Sequence, residues 1–64
     1  MAYRVKDTKN NKFIWTYLDL VEVSVSEKDA TKFETYEEAS DYLEMAKILV
    51  KNTDERYSFV IEEI

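Results

Sequence analysis

Apolar and polar residues alternate near both ends of this chain and recur at helical spacing between them. From Ala2 to Thr8, Tyr3 and Val5 alternate with Arg4 and Lys6, the pattern of a strand with one buried face. Lys9 to Lys12 is polar and reads as a hairpin turn, because Asn10 and Asn11 can both take the positive φ of a type I′ turn. Phe13 to Leu18 is rich in aromatic and β-branched residues and predicts a second strand. With the turn centred on Asn10 and Asn11, Val5 falls opposite Thr16. Tyr3, Ile14 and Leu18 then share the face of Val5. Further on, Val21, Val23 and Val25 alternate with Glu22, Ser24 and Ser26, which sets the odd positions inward. The two frames differ by one residue, and such a slip turns every side chain over. A bulge or bend near Asp19 and Leu20 reconciles them. The pattern thus predicts one bent strand, or two strands with a kink, over residues 13–26.

Glu27 to Lys32 forms a polar connection, with Ala30 and Phe33 closing the end of the core. Thr35 followed by Glu38 is a capping-box pattern. Tyr36, Ala39, Tyr42, Leu43, Ala46, Leu49 and Val50 then fall on one side of a helix over residues 36–51. Asn52 is suited to a left-handed cap, residues 53–56 to a turn, and Tyr57 to Ile64 to a last strand. The order β-β(-β)-α-β predicts an α+β fold. A small antiparallel sheet of three to four strands carries one helix on one face, in a single domain over residues 1–64.

Composition narrows the chemistry. Among 64 residues there is no Cys and no His. Zinc and iron–sulfur sites lack their usual ligands, and a Cys–His or Ser–His nucleophile cannot be built. With neither Gly nor Pro, the turns depend on Asn, Asp, Ser and Thr, and no glycine phosphate loop can form. No run of about 20 apolar residues spans a membrane. No leader pattern opens the chain, and a thiol-free composition fits the cytoplasm. The net charge of −5 is uneven: residues 1–18 hold four basic residues against one acidic, and residues 19–64 hold five against thirteen.

Two surfaces could carry function. In the register above, Arg4, Lys6, Phe13, Trp15 and Tyr17 lie together on the sheet face away from the helix. Basic and aromatic groups so interleaved can stack on single-stranded bases or form the centre of a protein interface. They can also simply cover a thin sheet with cation–π pairs. The second surface is acidic. Glu37, Asp41 and Glu44 share an exposed helix stripe, with Glu34 and Glu38 nearby. Its functional reading is competition for a basic, nucleic-acid-binding groove on a partner; its plain reading is a solvated helix face. The pair Glu37 and Asp41 could hold Mg²⁺ or Ca²⁺ only within a water-excluding cleft, which so short a chain does not supply. No catalytic, metal-binding or cofactor-binding residue is therefore expected, and no cofactor.

The stretch from Ala30 to Ala39 has the form A-x-x-F-x-T-x-x-E-A. It resembles the helix entry of small acidic α+β proteins of phages and prophages, which follows strands containing Trp or Tyr. Among such proteins are inhibitors of host defence and host replication, including anti-CRISPR proteins. Small size, absent catalytic groups, acidic balance and the aromatic patch lead to the expectation of a non-enzymatic binding protein that occupies a surface of a larger protein, as a monomer or a homodimer. The resemblance implies that it is a phage-encoded inhibitor in the host cytoplasm. The lysine bias, seven Lys to two Arg, suits an AT-rich genome. The alternative expectation is a nucleic-acid-binding module that uses the hairpin's outer face. The acidic balance argues against it.

Overall fold

The computed structural model describes residues 1–51 and 55–64. Among these residues, four strands form one antiparallel sheet: β1 (Tyr3–Asp7), β2 (Lys12–Tyr17), β3 (Leu20–Val25) and β4 (Phe59–Glu63). Their order across the sheet is β3-β2-β1-β4. Among the described residues one α-helix, α1 (Tyr36–Leu49), covers one face. The expected α+β class is the one observed, with three strands before the helix. The core is Val5, Ile14, Phe33, Ala39, Leu43 and Ala46, edged by Tyr3, Val21, Val23, Tyr42, Phe59 and Ile61. Alanine at two of the helix's three buried positions lets its backbone lie close to the sheet.

The first hairpin is registered differently from the expectation. Lys6 pairs with Phe13 and Asp7 with Lys12, which displaces β2 by two residues and lengthens the loop to Thr8–Asn11. Because the displacement is even, the side chains from Phe13 to Tyr17 keep their predicted faces. Asp7 causes it. Its side chain is fully buried and accepts from the Lys9 N–H at 3.1 Å, the Asn10 side-chain amide and the Ser58 N–H at 3.0 Å. A carboxylate that bonds to the backbone two residues on organises a turn, and this one also fastens the turn to the approach of β4. Of the two asparagines only Asn11 has positive φ, at 54°.

Residues 13–26 are not one bent strand. They form two antiparallel strands joined by the two-residue turn Leu18–Asp19, with Tyr17 paired to Leu20. Leu18 was expected to face inward. It is instead the first turn residue, at φ 55° and 76% exposed. The frame change between Leu18 and Val21 is thus the hairpin itself. The bulge exists but lies later. Trp15 pairs with Glu22 and Phe13 with Val25, so Val23 and Ser24 together oppose Ile14, and Ser24 has φ 65°. This extra residue turns Val25 onto the outer face beside Phe13, contrary to the expectation that it faces the core.

Residues 31–33 enter the sheet. The Thr31 N–H bonds the Ile14 carbonyl at 3.1 Å, and the Thr31 hydroxyl accepts from the Thr16 N–H at 2.7 Å. Phe33 exchanges both backbone hydrogen bonds with Tyr3, at 2.7 and 2.8 Å. The segment therefore fills a gap between β1 and β2. It carries the chain from a 3₁₀ turn at Glu27–Asp29 on the outer face to α1 on the inner one. Phe33 closes the core end as expected.

Thr35 caps α1 by accepting from the Glu38 N–H at 3.1 Å. The helix stops at Leu49, two residues short of the expected end, because Lys51 takes φ 58° and bonds the Ile48 carbonyl at 3.0 Å. Asn52, Thr53 and Asp54, where a cap and turn were expected, lie outside the described residues. Of the predicted core positions, Ala39, Leu43 and Ala46 are buried, whereas Tyr36 and Leu49 are exposed. The last strand begins at Phe59 rather than Tyr57.

Candidate binding surface

The outer sheet face brings Arg4, Lys6 and Phe13 together. The Arg4 guanidinium lies 4.5 Å from the Phe13 ring centre and the Lys6 ammonium 5.8 Å from it. Phe13 is only 4% exposed. Arg4 faces Glu62 directly across β1 and β4 and bonds it at 2.5 Å, and it bonds Glu27 of the 3₁₀ turn at 2.9 Å. Burial alone would lower the Arg4 pKa. The hydrogen bonds and charges of Glu62 and Glu27 overcome that and raise it above the ordinary value. This part of the face is therefore a neutralised cover over the sheet. Trp15 is half-buried and Tyr17 exposed, with rings nearly parallel and centres 6.1 Å apart. Trp15 also lines an open groove with Glu22, Val25, Lys28 and Asp29.

Glu34, Glu37, Asp41 and Glu44 are all exposed. Lys47 comes to 3.9 Å of Glu44, an exposed pair that contributes little. Among the described residues, no three acidic side chains converge as a metal site. No helix among them is long and apolar enough to cross a membrane.

A third surface, not singled out in the sequence, surrounds the β2–β3 turn. Leu18 is 76% exposed, Leu20 61%, Ile48 75% and Leu49 53%. Asp19, Leu20, Val21, Met45, Ile48 and Leu49 line a mostly apolar groove between the edge of β3 and the last turns of α1. The Tyr42 hydroxyl donates to the Leu18 carbonyl at 3.3 Å and fixes the hairpin tip to the helix. Together these side chains form an apolar collar. The signal was present: Met45 and Ile48 lie off the core stripe set by Ala39, Leu43 and Ala46, so two large apolar residues had no partner inside the fold.

Comparison with known proteins finds no family model, no curated protein and no solved structure that matches this chain.

Proposed function

We propose that the protein works by binding rather than catalysis, and that it seats the collar around the β2–β3 turn against a larger protein. The observation that carries this reading is the exposure of Leu20, Ile48 and Leu49 along one groove, with Leu18 exposed at the adjoining turn. Single exposed leucines are ordinary, but a contiguous apolar patch marks an interaction surface. A chain of this length has little stability to spare, so aliphatic area left in water at one place is best explained by a partner that covers it. The helix entry at residues 30–39 supports a narrower form: a phage-encoded inhibitor in the host cytoplasm. The stripe Glu37, Asp41 and Glu44 would favour a basic groove of a defence or replication protein. A nucleic-acid module using Arg4, Lys6, Trp15 and Tyr17 has less support, since two carboxylates already hold Arg4.

The test is affinity capture from a host lysate with the parent chain and with folded Leu20→Asp and Ile48→Asp variants. A protein retained by the parent and lost by both variants is the expected result. A partner retained equally by all three removes the collar as the site. Submicromolar binding of DNA or RNA would put the nucleic-acid reading first.

A further inference from the structure

We infer that the groove between β3 and α1 accepts an amphipathic helix of the partner, with basic residues at the end lying over the β2–β3 turn. This deepens the binding role proposed above and rests on it. The groove wall supplied by α1 is Met45, Ile48 and Leu49, at the i, i+3, i+4 spacing of a helix ridge. Such a ridge meshes with the same spacing on another helix. Strand addition fits poorly. β3 pairs in regular register only from Leu20 to Glu22 before the bulge at Val23 and Ser24, and a bulged, short edge is a poor template for a strand.

The ends of the groove differ in charge. Asp19 lines it at the turn, and Asp41, exposed, stands one helical turn before Met45. Past Leu49 the surface continues to Lys51, Arg56 and Tyr57. A cationic segment is therefore favoured at the turn end and disfavoured at the other. A second copy of the chain is a poor occupant, because its own helix exposes Glu37, Asp41 and Glu44 beside Ile48 and each chain carries a net −5.

Three synthetic peptides serve as probes for titration into the isotope-labelled full chain: a Leu/Lys amphipathic helix, a Leu/Glu helix of identical pattern, and a Lys/Ser peptide without an apolar face. The Leu/Lys peptide should shift the amides of Leu20, Val21, Met45, Ile48 and Leu49, and bind at least about ten-fold more tightly than the other two. Ile48→Asp should weaken it about ten-fold or more even though it adds negative charge. Asp19→Asn with Asp41→Asn should weaken it several-fold at low salt, with the difference shrinking as salt rises. Equal binding by the Leu/Glu or Lys/Ser peptide overturns the inference, as does undiminished binding by Ile48→Asp. Self-association of the chain abolished by Ile48→Asp would make a second copy the occupant and also overturn it. If a captured protein depends on Leu20 and Ile48 while the Leu/Lys peptide does not bind, the helical, basic occupant is wrong and the docking role stands. If Ile48→Asp leaves the captured protein bound, both fall.

Discussion

Asp7 shows how one residue can set a register. Its place in the alternation Tyr3, Val5, Asp7 already puts it on the buried face, and a buried carboxylate must be met by donors. The structure meets it with three, two from the adjacent loop and one from Ser58. Asp7→Ala would remove the acceptor of the buried Ser58 N–H and of the loop N–H at Lys9, while the Asn10 amide keeps the Arg56 carbonyl at 2.8 Å. At about 1 kcal/mol or more for each of these two backbone donors, we expect it to lose roughly 2 kcal/mol, read from urea unfolding. A loss under about 1 kcal/mol would mean that water replaces the carboxylate without penalty. Leu18 carries the opposite lesson. Its positive φ places a Cβ where glycine is easier to accommodate, and its side chain is mostly in solvent. Leu18→Gly should therefore leave stability unchanged or raise it by up to about 1 kcal/mol, measured by thermal melting. A clear drop would show that Leu18 packs where the exposed surface says it does not. This turn was not legible as a turn, because Leu-Asp lacks the Asn-Gly chemistry by which two-residue hairpins are recognised.

Helix α1 was the most readable element, and its two faces separate stability from the proposed function. The cap at Thr35 and the stripe Ala39, Leu43, Ala46 follow directly from spacing. Leu43 lies in the core cluster with Val5 and Ile14. Leu43→Ala should cost about 2–5 kcal/mol, and Ile48→Ala, on the solvent face, less than about 0.5 kcal/mol. Denaturant midpoints of the two variants, measured side by side, decide this. Equal losses would place Ile48 in the core and remove the collar. The strands were legible as elements but less so in their connections. Val21, Val23 and Val25 gave a clean alternation, yet the bulge at Ser24 turned Val25 outward, since serine at positive φ has no periodic signature. Met45 and Ile48 were visible as apolar residues off the stripe. Their neighbours across the groove depended on a hairpin that the pattern had read as a bend.

Charge is a property of the whole molecule here. Arg4, one of the four basic residues of the first 18 positions, is neutralised by Glu27 and Glu62, which are remote in sequence. With a net −5, we expect no submicromolar affinity for DNA or RNA at about 150 mM salt, where charge acts over roughly 8 Å. Fluorescence anisotropy with labelled single strands checks this. The candidate site of the sequence reading thus divided: Arg4 and Phe13 became part of the cover, while Tyr17 stacks on Trp15, which lines a groove of its own. Long-range pairing made that division, and residue spacing does not encode it. The passage of residues 31–33 through the sheet carries one more consequence. Extending the pairing of Lys6 with Phe13 would set Arg4 opposite Trp15 and Tyr3 opposite Thr16, yet Tyr3 is bonded to Phe33, and Thr16 to Thr31. A peptide of residues 1–26 has nothing to halt the closure of its first two strands. Such a fragment should zip to the end of the hairpin and show Tyr3–Thr16 proximity in its nuclear Overhauser spectra. The early, local part of this chain thereby prefers a pairing that the finished protein must forgo.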